Sequence, residues 1–362
     1  MDVYNAFLHG DLHEEVYMKL PPGFKSQKPG MFYRLRKSLT FRLNILVYVD
    51  DLLISGNDTA TISSFKSYLS RCFHMKDLGV LKYFLGIEVA RNPTGLFLCQ
   101  RKYALDIIYE VGLLGAKPSS FPIVQNHQLG KVDGPVLATP ESYRRLVGRL
   151  IYLVVTRPDL AYAVHILSQF MHQPRQEHWE AALRVVRYLK GSPGQGVLLH
   201  SDNDLKLKGW CDSYWDACPL TRRSLTGFIV FLGDSPISWK TKKQHTVSLS
   251  SAESENRSMA TITCELKWLK TLLSDLGIEH PNAVQLFCDN KSALHIANNP
   301  SHSEILVPFE VTSVDEANLE ETLGIFAKAT LTKVSFALLK VQTPNIVELY
   351  KQIKQKLIDM KV

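Results

Sequence analysis

The sequence predicts a chain of mixed α/β and α+β architecture, and three observations carry that expectation. The first is an apolar, β-branched run, Leu43 to Val49, that stops at Asp50-Asp51 and resumes from Leu52 to Ser55. It reads as a hairpin with two carboxylates at its tip. The second is a middle stretch, 101–205, in which helical periodicity dominates. The third is a succession of strands, helix, strand and helix over 206–303, with acids at the element ends, as in an α/β unit with a mixed sheet flanked by helices. An apolar content of 45% and a charged content of 21% suit a soluble globular protein, and 362 residues suffice for two or three cores.

In chain order, the hairpin comes first. Leu43, Ile45, Val47 and Val49 share one face and Leu46 and Tyr48 the other, so this strand is expected to be covered on both sides. Adjacent carboxylates repel, and a cation between them relieves that repulsion. Magnesium, which takes a few carboxylate oxygens plus water and phosphate, suits such a pair; a polar turn suits it equally. Asp58 caps a helix whose apolar positions are Ile62, Phe65, Leu69 and Cys72. Leu81 to Ala90 and Leu96 to Gln100 read as strands joined by the turn Asn92-Pro93-Thr94-Gly95.

The middle opens with a short helix, Tyr103 to Val111, followed by a polar linker over about Gly115 to Pro140. Helices follow at Tyr143 to Val155, at Pro158 to Met171 and at His178 to Lys190. The last has an apolar line at Trp179, Leu183 and Val186, with Arg184, Arg187 and Lys190 elsewhere, either as a solvated face or as a phosphate-tracking one.

From Leu205 a strand runs to Asp212. Further strands are read at Thr226 to Leu232, Pro236 to Lys240 and Val284 to Cys288, with helices at about Ala252 to Leu276 and Lys291 to Ala297. If the strands ending at Asp212 and Asp289 are neighbours, their carboxylates meet, and Glu253 in the first turn of the intervening helix can join them. Each acid has a structural alternative. Ser250-Ser251-Ala252-Glu253 is also a capping box, Asp289 can cap the next helix, and Asp212 can be a solvated strand end. Beyond 303, acids cluster at Asp315, Glu316, Glu320 and Glu321, and an apolar, strand-like stretch follows. Ile346, Tyr350, Ile353, Leu357 and Met360 then line one side of a helix, which docks on the chain's own core or takes a protein partner.

The six cysteines are scattered without paired spacing, as in a reduced cytoplasmic or nuclear protein. No apolar stretch is long enough for a membrane span, and no basic-then-apolar leader opens the chain. The net charge of +7 is compatible with a nucleic-acid partner.

Tyr48-Val49-Asp50-Asp51 resembles the signature of reverse transcriptases, and its flanks resemble copia-type LTR retrotransposon Pol polyproteins in particular. Met1 to Leu12, Glu15 to Phe24, Leu81 to Val89, Tyr143 to Gly148, Thr156 to Val164 and Arg187 to Gly191 extend that resemblance. Gly209 to Asp216, Thr221 to Ser224, Trp239 to Gln244, Ser250 to Glu255 and Cys288 to Ala293 resemble the ribonuclease H region of the same family. The resemblance implies a reverse-transcriptase palm remnant over 1–100, thumb and connection helices over 101–205, a ribonuclease H-like domain over 206–303 and an unrelated tail over 304–362. It implies Asp2, Asp50 and Asp51 as one set of metal ligands and Asp212, Glu253 and Asp289 as another, with Mg2+ or Mn2+ as cofactor and an RNA–DNA hybrid or other nucleic acid as partner. Three departures qualify it. No fingers region precedes Met1, the helix that follows Arg36-Lys37-Ser38-Leu39 in the family is missing, and the fourth nuclease carboxylate has no counterpart after Pro300. A truncated, internally deleted chain follows, with polymerase activity lost and nuclease activity weak or lost. The alternatives are a non-catalytic nucleic-acid-binding remnant and an unstable pseudogene product.

Overall fold

A computed structural model describes residues 43–297 and four short strands outside them: β1 (Tyr17–Met18), β2 (Tyr33–Arg34), Phe309–Ser313 and Ser335–Val341. Asp2 and the C-terminal amphipathic helix expected over 346–360 lie outside the described residues. The chain divides into two units, 1–82 with 275–277 and 333–362, and 83–274 with 278–332.

In the first unit β1 pairs antiparallel with β2. The expected hairpin forms from β3 (Leu43–Tyr48) and β4 (Asp51–Gly56), with Tyr48 opposite Asp51, so Val49 and Asp50 make a two-residue turn. Two-residue hairpin turns want positive φ, normally supplied by Gly or Asn. Val49 supplies it here at φ 49, a conformation that β-branched residues rarely adopt. The helix α1 (Thr59–Cys72) begins at Asp58, whose carboxylate accepts from the amides of Ala60 and Thr61 at 3.2 and 3.0 Å. Its Ile62, Phe65 and Leu69, one face at helical spacing, bury against Leu43, Leu52 and Ile54. Full burial of such side chains stabilises by about 1.5–3 kcal/mol each. The strand β5 (Met75–Val80) completes the unit with Ser335–Val341, which lies antiparallel between β4 and β5.

The second unit opens with a sheet of β6 (Tyr83–Phe84), β7 (Ile87–Asn92) and β8 (Gly95–Cys99). Asn92 faces Gly95 across the expected Pro93-Thr94 turn. Gly95 is required there: it sits at φ 152, and a Cβ would lie 2.0 Å from the Leu199 carbonyl oxygen. Four helices follow, α2 (Arg101–Glu110), α3 (Pro140–Leu153), α4 (Ala161–Ser168) and α5 (Gln176–Gly191). Their core includes Ile107, Tyr143, Leu150, Val185, Val186 and Leu189. Tyr143, fully buried, donates its hydroxyl to the Leu167 carbonyl at 2.8 Å. On α5 the buried line is Ala182, Val185, Val186 and Leu189; Trp179 and Leu183, expected on it, pack at its margin. The strand β9 (Gly196–His200) then returns to pair with β8.

The rest of the unit holds β10 (Leu207–Tyr214), β11 (Leu225–Leu232), β12 (Ser235–Lys243), α6 (Ser251–Asp275), β13 (Val284–Cys288), α7 (Lys291–Ala297) and β14 (Phe309–Ser313). The sheet order is β12-β11-β10-β13-β14, antiparallel over the first three strands and parallel from β10 through β13 to β14. From α6, Met259, Ile262, Leu266, Leu269 and Leu273 pack on Cys211, Phe228, Val230, Leu286 and Cys288. Two strands from beyond residue 303, Phe309–Ser313 and Ser335–Val341, thus join sheets built mainly from earlier residues.

Candidate acidic site

The parallel pairing of β10 with β13 is what brings distant acids together. Trp210 lies opposite Phe287, so Asp212 and Asp289 follow at matching positions, two residues further along each strand path. Both line a cavity of about 610 Å³ whose walls include Trp210, Phe228, Trp239 and Lys240. From α6, Glu255 approaches these strand ends, whereas Glu253 lies in the helix cap.

Glu253 occupies the capping box. Its Oε2 accepts from the Leu249 amide at 2.7 Å, its Oε1 accepts from Arg257 at 2.6 Å, and its own amide donates to Ser250 Oγ at 3.1 Å. These contacts, the Leu249 amide foremost, hold its carboxyl below the usual range. Residues two apart on a helix point to different sides, so Glu253 in the cap and Glu255 on the sheet side cannot exchange roles.

Glu255 is 4% exposed. Its Oε1 accepts from the Ser213 amide at 2.9 Å, and its Oε2 accepts from the Cys288 thiol at 3.6 Å. Ser258, one turn on, donates to the Asp212 carbonyl at 3.1 Å and so pins the same helix to β10. Burial, and after it the negative charge of Cys288, Asp212 and Asp289, pushes the Glu255 carboxyl up to about 9. Asp212 is also raised, first by desolvation in the cleft and then by Asp289. The Cys288 thiol is pulled down, chiefly by its hydrogen bond with Cys211 on the neighbouring strand. Among the described residues, Glu255, Cys288 and Asp289 form the only group of three His, Cys, Asp or Glu whose ligand atoms all lie within 4.8 Å of one another. Asp212 stands outside that group but close enough for its charge to raise Glu255, and a cation near Glu255 and Asp212 would relieve what raises both.

Asp50 and Asp51 sit half-buried at the β3–β4 turn, with Asp51 in the first ladder position of β4. Among the described residues no third ligand joins them, and Asp2 lies outside those residues. Glu255 was legible from the helix period. Counting back from Leu273, Leu269, Leu266, Ile262 and Met259 in steps of three and four reaches position 255, where an acid stands on the core face.

Comparison with known proteins agrees with the residues that carry the resemblance. The family model for reverse transcriptase (RNA-dependent DNA polymerase) matches residues 39–125. The chain is 41% identical over 339 residues to the retrovirus-related Pol polyprotein from transposon RE2 of Arabidopsis thaliana, covering 83% of this chain and 23% of that protein. Against the Pol polyprotein from transposon TNT 1-94 of Nicotiana tabacum the identity is 32% over 404 residues, covering 98% of this chain and 30% of that protein. An uncharacterized mitochondrial protein of Arabidopsis thaliana is 43% identical over 226 residues, covering 62% of this chain and 93% of the relative. The chain therefore spans about a quarter of the length of the Pol polyproteins it matches. With a reverse-transcriptase-like segment at 39–125 and similarity to Pol polyproteins across most of its length, the chain belongs to the Pol family of copia-type LTR retrotransposons.

Proposed function

We propose that β10 to β14 with α6 and α7 form a ribonuclease H-like domain that binds RNA–DNA hybrids through a magnesium or manganese site at Asp212, Glu255 and Asp289. The observation that supports this most directly is the β10–β13 pairing, which puts Asp212 and Asp289 at matching strand ends, with Glu255 of α6 bound to the Ser213 amide and grouped with Asp289. Bound there, divalent cations would activate water and stabilise the leaving oxygen of a cut phosphodiester. The chain's own residues do the positioning. The Ser213 amide and Cys288 thiol fix the Glu255 carboxyl, Ser258 fixes α6 to β10, and Lys240 on the cavity wall offers a cation to a phosphate. Discrimination of hybrid from DNA duplex falls to contacts with 2′-hydroxyls.

Cleavage on this reading is slow, because the sequence after Pro300 offers no match to the fourth carboxylate of the family. The reverse-transcriptase-like segment does not polymerise. Phosphoryl transfer depends on positioning the triphosphate, and the helix that follows Leu39 in the family has no counterpart before β3. The test is cleavage of a labelled hybrid by the full chain with Mg2+ or Mn2+. Slow, EDTA-sensitive cleavage is expected, lost in Glu255→Gln and kept in Glu253→Gln. Equal loss in both variants, or cleavage that survives Glu255→Gln, refutes the assignment. Salt-dependent hybrid binding with no cleavage at all would select the non-catalytic alternative.

A further inference from the structure

We propose that Glu255, Cys288 and Asp289 also form a site for a borderline-soft divalent cation, Zn2+ by chemical class, that competes with magnesium for the same carboxylates. The ligand atoms of these three residues already lie within 4.8 Å of one another. Magnesium takes oxygen ligands and has no use for the sulfur in this cluster, whereas Zn2+ binds thiolate, imidazole and carboxylate together. Three protein ligands with one open position is a common zinc arrangement, and water can fill the fourth place.

Cys288 and Glu255 are buried, and Asp289 lines the cavity of about 610 Å³, the side from which the ion is proposed to approach. In the absence of a cation the Cys288 S–H donates to Glu255 Oε2. When Zn2+ binds, that proton and the proton on the Glu255 carboxyl leave to solvent, sulfur and carboxylate lone pairs form the bonds to the metal, and no oxidation state changes. The cation then holds Glu255 and Asp289, two of the three acids assigned above to magnesium. The competition rests on that assignment; the zinc site itself does not.

The probe is Co2+ and then Zn2+, added to the full chain after removal of metals, in a background carrying Cys72→Ser and Cys264→Ser because those two thiols are exposed. One equivalent of Co2+ is expected to give a near-ultraviolet thiolate-to-cobalt band that Zn2+ abolishes. Cys288→Ser is expected to remove the band and to lower the ratio of Zn2+ to Mg2+ affinity by about tenfold or more. A band that persists in Cys288→Ser, or no band in the parent, overturns the proposal. Should Cys288→Ser fail to fold, zinc X-ray absorption on the parent decides. A sulfur neighbour at about 2.3 Å supports the site, and a shell of oxygen and nitrogen alone refutes it. Magnesium-dependent hybrid cleavage with a negative cobalt result sinks the zinc site only. A positive cobalt result without cleavage leaves the zinc site standing and sinks the nuclease reading.

Discussion

Replacing Glu255 by Gln is expected to stabilise the cation-free chain, and increasingly so as pH rises. The carboxyl is held at about 9 in the folded chain against an ordinary 4.5. Below pH 4.5 it is protonated in both folded and unfolded states and contributes nothing to the pH dependence. Between 4.5 and 9 the unfolded chain releases this proton while the folded chain keeps it, so folding takes up a proton and stability falls as pH rises. The slope is about 1.4 kcal/mol per pH unit, which makes the cost about 3 kcal/mol at pH 7. Gln is neutral at every pH and its amide oxygen can still accept from the Ser213 amide. The variant should therefore gain roughly 2–3 kcal/mol on the parent between pH 5.5 and 7.5. Urea denaturation in EDTA, followed by tryptophan fluorescence, measures this, and all five tryptophans lie in the 83–274 unit. Millimolar Mg2+ should then narrow the gap, because a cation that binds only the folded parent stabilises it by mass action. A stability difference that does not change with pH would show Glu255 ionised in the folded state and would refute the reasoning.

Other perturbations test the packing around the site. Gly209→Ala places a Cβ 2.8 Å from Ile262 Cδ1 and 3.2 Å from Leu266 Cδ1, and should cost about 1–2 kcal/mol in urea denaturation, with Ile262→Val restoring most of it. Arg157, 1% exposed, donates to the Asp159 carboxylate at 2.7–2.9 Å and to the Ser192 carbonyl at 2.9 Å. Arg157→Ala should cost about 3 kcal/mol or more in the same measurement, by leaving those groups without their partner. Gln244 donates to Thr226 Oγ1 at 3.1 Å and to the Ser254 carbonyl at 2.9 Å, and accepts from Ser248 at 3.1 Å. Gln244→Leu should cost about 2 kcal/mol and weaken calorimetric Mn2+ binding by loosening the N-terminus of α6.

Much of the fold was legible wherever one face of an element is buried. The β3–β4 hairpin followed from apolar runs on both sides of Asp50-Asp51, α1 from its Asp58 cap and its Ile62, Phe65 and Leu69 face, and β7–β8 from Asn92 to Gly95. Where burial is weak, the sequence carries little signal. Every residue of β5 except Met75 is exposed, so it shows no alternation to read. Pairing partners are a second gap. β9 pairs with β8 across about a hundred residues of chain, and Ser335–Val341 pairs with β4 and β5 across a longer interval. Neither choice follows from local pattern, because any apolar strand of suitable length would satisfy the same ladder.

The acidic site separates these two kinds of information. That Asp212 and Asp289 could meet depended on one pairing, β10 beside β13, which the order of elements left open and the structure has. Glu253 had two readings in the sequence, metal ligand and member of a capping box, and the structure places it in the cap. Ser250 to Glu253 satisfies a capping pattern, and in the structure the pattern is simply true: Glu253 closes the cap with Ser250, Leu249 and Arg257. A glutamate consumed by its own helix terminus has few lone pairs left for a cation. The informative residue is the one that breaks a rule, an acid on the face that otherwise carries Met259, Ile262 and Leu266. A carboxyl is placed among those side chains at a cost: the Ser213 amide and the Cys288 thiol donate to it, but burial and the neighbouring charges of Cys288, Asp212 and Asp289 outweigh them, and a proton or a cation is what relieves the remainder.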